Sequence, residues 1–285
     1  ALWCGFVMVA EHGERTHHQP FQVKSYSEKP LADALNSGGF ERSLAAIAAA
    51  GTAPGERQVG RFTGSPGFYR TEKLIRDAFS EAGLEVRTQE FQAVVPVSET
   101  CEILDETGKP LEGVTLYPFT PAGLLPTALP PEGIHARIVD METASVSGLN
   151  GHDPAHSLAL TTLDAAADWS SLALAGAQGL IVREDPVAKG LMASPDEPGS
   201  WGSLFCGSEI SFPRFVARGP IERYAGRDVT VRCKVTWQSK PVRNVIGILR
   251  AAEARSEALI VSAFYDSNSL VPDLAPGAEQ SVSAA

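Results

Sequence analysis

The segment Ala258-Leu-Ile-Val-Ser-Ala-Phe264 is apolar nearly throughout and runs into the polar stretch Tyr265-Asp-Ser-Asn-Ser269. A continuous apolar run of this length reads as an interior strand covered on both faces. Such a strand needs neighbours in its sheet and a layer on either side. The sequence ends at Ala285, within what reads as the next helix. The strands before it would make a short sheet with uncovered faces and edges. The expectation is that a protein partner, or a C-terminal half beyond this chain, completes the sheet.

Upstream, strands and helices mix. Phe40–Ala50 has helical composition and ends at Gly51. A second helix begins with Ser65 as N-cap and Pro66 in the first turn, and Gly83 terminates it. Phe68, Ile75, Phe79 and Ala82 share one face of it with Leu74 and Ala78. Leu84–Val97 alternates like a strand, and Thr100–Leu116 reads as a hairpin turning at Thr107-Gly108. Pro118–Gly133 reads as a connector. Further strands are expected at Ala136–Asp140, Gly179–Val182, Phe215–Ala217, Val229–Gln238, Val242–Leu249 and Ala258–Ala263. A helix is expected over Leu163–Ala175 and a loop over Glu184–Gly207.

The glycines of Leu174-Ala-Gly-Ala-Gln-Gly-Leu-Ile-Val182 end a helix and open a strand. A dinucleotide loop does the reverse, so they read as close helix–strand packing. His152-Asp-Pro-Ala-His156 has the spacing of two ligands on a helix, but Gly151 and Pro154 make it a polar loop. Ser170-Ser171 lacks a nucleophile elbow. Glu184, Asp185 and Asp196 read as ordinary loop charges.

With 285 residues, 44% hydrophobic and 20% charged, the chain can bury a sizeable core. A net charge of −10 excludes the basic surface that nucleic-acid binding requires. No stretch is long and apolar enough for a membrane span. Ala1–Ala10 is apolar and turns polar at Glu11; it reads either as the tail of a signal peptide or membrane anchor, or as a buried first strand. The first alternative would bring membrane association through the N-terminus. Residues 11–36, with His12, His17 and His18, read as a polar arm. Cys4, Cys101, Cys206 and Cys233 show no zinc-knuckle spacing and permit three pairings. Cys206–Cys233 is conceivable in an exported protein, and buried thiols are the alternative.

Two sets of segments resemble known families. Ala165–Val182, Ile210-Ser-Phe-Pro-Arg-Phe-Val216 and Val229–Gln238 together resemble a protease-associated domain, a small β-rich module found with secreted peptidases. Around it, Arg61-Phe-Thr-Gly-Ser-Pro-Gly67 with its helix, Asn244-Val-Ile-Gly-Ile-Leu249, Ile260-Val-Ser-Ala-Phe-Tyr-Asp-Ser267 and Pro276-Gly-Ala-Glu-Gln280 resemble the co-catalytic zinc aminopeptidases. The resemblance implies an α/β fold: a partial aminopeptidase-like mixed sheet with flanking helices and an inserted β-rich protease-associated domain. The implied organisation is an arm or anchor remnant (1–36), a first peptidase-like segment (37–116), the insert (117–240) and an incomplete second peptidase-like segment (241–285). It also implies an extracytoplasmic location.

In that family a strand ends in His-x-Asp, whose His binds zinc while the Asp orients the imidazole. A following turn supplies an Asp that bridges two zincs. Here Phe264 stands at the His position and Gln280 at the bridging position, preceded by Glu279. Phe has no lone pair, and a neutral amide is a poor bridge between dications. Asp266 and Glu279 are therefore remnant metal positions, and no cofactor is expected. The reading is a non-catalytic, protein-interacting relative of these peptidases. Two alternatives stand beside it: an active zinc exopeptidase whose remaining half lies outside this chain, and a structural subunit of a larger assembly.

Overall fold

The computed structural model describes residues 5–10, 38–51, 60–119, 127, 129–141, 143–162, 169–184, 212–250, 258–267, 271 and 273–274. The arm 11–36 with its histidines, Cys4, Cys206, Asp185, Asp196, Glu279 and Gln280 lie outside the described residues. Nine strands form one mixed sheet. They are β1 (Gly5–Ala10), β2 (Glu85–Leu104), β3 (Thr115–Pro118), β4 (Ile134–Asp140), β5 (Ser157–Thr161), β6 (Gly179–Arg183), β7 (Arg214–Arg218), β8 (Asp228–Ile248) and β9 (Leu259–Phe264). The helices are α1 (Gly39–Ala50), α2 (Pro66–Glu81) and α3 (Trp169–Leu174). Among the described residues no helix is long and apolar enough to cross a membrane.

The sheet is organised on a long antiparallel ribbon. β2 pairs with β8 from Glu85↔Ile248 to Leu104↔Thr230, with one register irregularity between Ser98 and Thr100. The other edge of β8 is shared by two neighbours. Near its start it pairs with β4 through Val229 and Val231, and near its end with β1 through Val245–Ile248. β4, β5, β6 and β7 then run parallel, and β3 closes that side antiparallel to β7. On the other side β9 pairs antiparallel with β1.

Separate strands at Val229–Gln238 and Val242–Leu249 are therefore not what forms: β8 is continuous through Ser239-Lys-Pro241. Pro241 lacks an N–H and lies opposite Gln92, at a point where neither β4 nor β1 pairs with the other edge of β8. A proline costs a strand little where no ladder bond is lost. Pro96 in β2, opposite Trp237, is tolerated in the same way. The hairpin expected over Thr100–Leu116 is also different. β2 runs on to Leu104, a turn at Asp105–Gly108 follows, and the return is short: the bridge Leu104↔Pro110 with hydrogen bonds from Asp105 N–H to the Lys109 carbonyl and from Leu111 N–H to the Ile103 carbonyl.

The parallel strands owe their apolar character to burial on both faces. Val139, Ala159, Leu180, Val182 and Val216 face a cluster with Trp169, Leu172 and Phe212. Their alternates Ile138, Leu158, Leu160, Ile181 and Phe215 face a second cluster with Ile103, Val231 and Cys233. A third cluster, at the other end of the ribbon, joins Phe68 and Ile75 of α2 to Val242, Val245 and Tyr265.

α2 forms where its capping residues place it. Ser65 Oγ accepts from the Phe68 N–H at 3.2 Å, and Pro66 follows at the first helical position. Gly83 takes φ +75°, and Leu84 N–H donates to the Phe79 carbonyl at 3.0 Å, a Schellman closure.

β9 departs from expectation. It is the last strand in the sheet order, not an interior one. Leu259 is 71%, Ile260 61% and Phe264 50% exposed. The run is apolar on both faces, but no described element covers either face. The apolar N-terminus contributes strand β1, between β8 and β9.

Candidate functional site

The loop before α2 and the loop after β9 meet at the end of the sheet, and this is where Asp266 lies. Arg61 N–H donates to Ser267 Oγ at 2.8 Å, and Ser267 N–H returns a bond to the Arg61 carbonyl at 3.1 Å. Arg61 Nε donates to the Tyr265 carbonyl at 3.0 Å. Thr63 Oγ1 donates to Asp266 Oδ2 at 2.9 Å. The Tyr265 ring stacks on Phe68 with centroids 4.8 Å apart, and its hydroxyl donates to the Arg243 carbonyl. The tight approach comes from glycine: a Cβ on Gly67 would lie 2.1 Å from the Gly60 carbonyl oxygen.

Burial shapes the charges here. It pushes the Asp266 carboxyl above its ordinary range, while the Thr63 hydrogen bond and the Arg61 charge pull it back. Burial likewise lowers the Arg61 guanidinium, with Asp266 opposing that shift. Both groups are thus pressed toward their neutral forms.

The zinc chemistry implied by sequence can be tested on the donor set. Phe264 ends β9 with half of its surface exposed and offers no lone pair. Asp266 accepts its hydrogen bond from Thr63, and no described imidazole reaches it. Among the described residues no group of three or more His, Cys, Asp or Glu side chains converges as a metal site. The described donors do not fit a zinc ion. Glu279 and Gln280 lie outside the described residues, so the structure brings together Phe264 and Asp266 alone of the four remnant positions.

Other sequence candidates resolve differently. Pro154–His156 is a short 3₁₀ turn capped by Asp153, and His156 is exposed beside Asp153 at 3.9 Å, in keeping with a polar loop. Glu184 is not an ordinary loop charge: its carboxylate is buried and accepts from both Nε and Nη2 of Arg218, at 2.7 and 2.9 Å. Cys233 lies opposite Cys101 in the ladder, while Cys206 is outside the described residues.

Sequence reasoning also missed a charged cluster behind Tyr265. Glu72, with its side chain 4% exposed, lies 3.3 Å from Arg243 and 3.5 Å from Arg76, and Arg243 reaches Glu90 at 2.8 Å. A signal existed, because Glu72 falls at helical spacing between Phe68, Ile75 and Phe79 on the apolar face of α2. A carboxylate there must be paired.

No protein-family profile matches the chain, and no curated protein matches it by sequence. Solved structures do. The zinc aminopeptidase BSAP from Bacillus subtilis aligns with a TM-score of 0.50 and 15% identity over 75% of this chain and 48% of that one. An aminopeptidase from Aneurinibacillus sp. strain AM-1 aligns at 0.41 and 17% identity, over 73% and 47%. A peptidase M28 precursor from Shewanella amazonensis SB2B aligns at 0.43 and 15%, over 76% and 51%. The chain spans about half the length of the structures it matches. Over the span aligned with BSAP it has an aminopeptidase-like fold.

Proposed function

We propose that this chain is a zinc-aminopeptidase-like protein whose metal site is degenerate and whose role is protein interaction. The observation that carries the reading is the end of β9. There Phe264, at the position where the resemblance implies a His ligand, offers no lone pair, and Asp266 is engaged by Thr63 and faces the charge of Arg61. Fold likeness at this identity says nothing of catalysis, which depends on the site. The exposed apolar strand β9 supports the second half of the reading, since contiguous apolar surface marks a binding face. Its occupant is a protein partner or the half of the fold that the matched aminopeptidases carry beyond the aligned span.

On this reading residues 117–240 form a protease-associated insert between peptidase-like segments 37–116 and 241–285, and the protein is extracytoplasmic. The apolar clusters on either face of β4–β7 draw most of their residues from 117–240, with Ile103, Leu111, Leu116, Val271 and Leu274 joining from the flanking segments. Metal analysis after dialysis against zinc-containing buffer tests the proposal. Less than about a tenth of an equivalent of bound zinc is expected, given how steeply affinity falls when even supporting groups of a metal site are lost. One or two equivalents removed only by a strong chelator would overturn it.

A second reading has one observation in its favour, the coverage of about half of each matched peptidase. In it, an active exopeptidase draws its remaining ligands and general base from outside this chain. Chelator-sensitive hydrolysis of aminoacyl nitroanilides by the protein from the complete reading frame would select it.

A further inference from the structure

Cys101 and Cys233 are direct partners in the β2–β8 ladder. Both lie on the face that packs into the cluster of Ile103, Val231 and Phe215, so their side chains point the same way. Leu129 N–H donates to the Cys233 carbonyl on the edge away from β2, so Cys101 and Cys233 form a non-hydrogen-bonded pair, the kind whose side chains come closest. The Cβ atoms of such a pair lie about 4.5 Å apart, the upper end of the disulfide range. Its Cα atoms also fall about 4.5 Å apart, inside the range of about 4.4–6.8 Å that a disulfide spans. The sulfurs are not joined in this structure; Cys233 is 5% exposed and directs its thiol to the Thr127 carbonyl at 3.6 Å, while Cys101 is half-buried.

We infer that Cys101 and Cys233 are a redox-modification site that closes to a disulfide across the β2–β8 ribbon when the protein meets a disulfide oxidant. Cys101, the more accessible thiol, reacts first. Its thiolate displaces one thiolate from the oxidant and forms a mixed disulfide. The Cys233 thiolate then attacks the Cys101 sulfur and expels the second leaving thiolate. Two cysteine thiols are oxidised, one oxidant disulfide is reduced to two thiols, and the protons of the cysteines end on the leaving groups.

The position gives the bond a consequence. The pair lies three positions past Ser98, just beyond the register irregularity, on the ribbon that carries β4 at one end and β1 at the other. A covalent tie fixes the β2–β8 register there and closes a long loop through β3–β7, which raises stability chiefly by restricting the unfolded chain. This inference is independent of whether the protein binds zinc or hydrolyses peptides.

The test treats the Cys4→Ser/Cys206→Ser double variant with oxidised glutathione, followed by thiol titration, intact mass and peptide mapping. Loss of both thiols, a mass lower by two hydrogens, a Cys101–Cys233 cross-linked peptide and a melting temperature higher by several degrees, all reversed by dithiothreitol, are expected. Two persisting thiols, or a stable glutathione adduct without closure, would overturn the inference. The same mapping on the unsubstituted protein keeps the test valid should the double variant misfold: there, pairing of Cys233 with Cys206 or Cys4 would refute it.

Discussion

Asp266 takes a hydrogen bond from Thr63 Oγ1 at 2.9 Å, although 203 positions separate the two residues. This carboxylate thus ties the loop before α2 to the end of β9. Burial holds its pKa above the ordinary carboxylate value of about 3.9. A raised folded pKa means that the native state binds the proton more tightly than the unfolded chain. The stabilising contribution is complete below the unfolded value and is lost as pH rises through the folded one. Asp266→Asn keeps an acceptor for Thr63 and cannot ionise. The variant should therefore gain stability on the wild type as pH rises from about 4 toward 7. Melting temperatures of both proteins across that window measure it, and a difference that stays constant or runs the other way would refute the assignment.

Gly67 and Gly83 flank α2 and test two different causes. Gly67 has an ordinary backbone conformation, but an added Cβ would lie 2.1 Å from the Gly60 oxygen, which cannot yield without moving the Arg61 loop. Gly83 has open space around it and φ +75°. Gly67→Ala should cost roughly 2–3 kcal/mol. Gly83→Ala should cost about 1 kcal/mol through left-handed strain alone. Urea denaturation of the two variants gives the ranking, and equal costs would mean that the loop accommodates the methyl group.

What was legible in the sequence follows from how local the cause was. The cap at Ser65, the stop at Gly83 and the strands β4, β6 and β7 rest on short-range signals and form where expected, whereas β5, the central strand Ser157–Thr161, is not among the expected strands. Ser239-Lys-Pro241 reads as a break in sequence because a proline's effect depends on which ladder bonds its position needs, and that is set by β4 and β1, far away in the chain. The pairing of Cys101 with Cys233 depends on ladder register, which a bulge at Ser98–Thr100 shifts. For the site, that Phe264 offers no metal ligand is visible in the residue itself. The engagement of Asp266 by Thr63 and the charge of Arg61 is not, because it spans most of the chain.

Arg243 holds the buried Glu72 carboxylate from across the ribbon while also reaching Glu90. Arg243→Met removes that charge and leaves Glu72 only Arg76, at 3.5 Å on the same helix. Truncating one partner of a fully buried pair costs about 3 kcal/mol, mostly because the other charge stays behind; with Arg243 itself 34% exposed, the cost here should be about 1–2 kcal/mol. Adding Glu72→Gln should return about half of the loss, giving a non-additive cycle. Simple additivity in chemical denaturation would show that Arg243 acts through packing alone.

Ile260 is central to the uncovered strand β9 and paired to Val9 on one side only. A lysine there adds no buried charge, so Ile260→Lys should leave stability within about 0.5 kcal/mol of wild type. It should also block edge-to-edge pairing, since a charged edge strand resists addition of another strand. In size-exclusion chromatography the wild type should self-associate with rising concentration and the variant should elute as a monomer at an unchanged melting temperature. Should the variant lose several degrees of melting temperature, β9 is covered within the chain, and the docking role proposed for it fails.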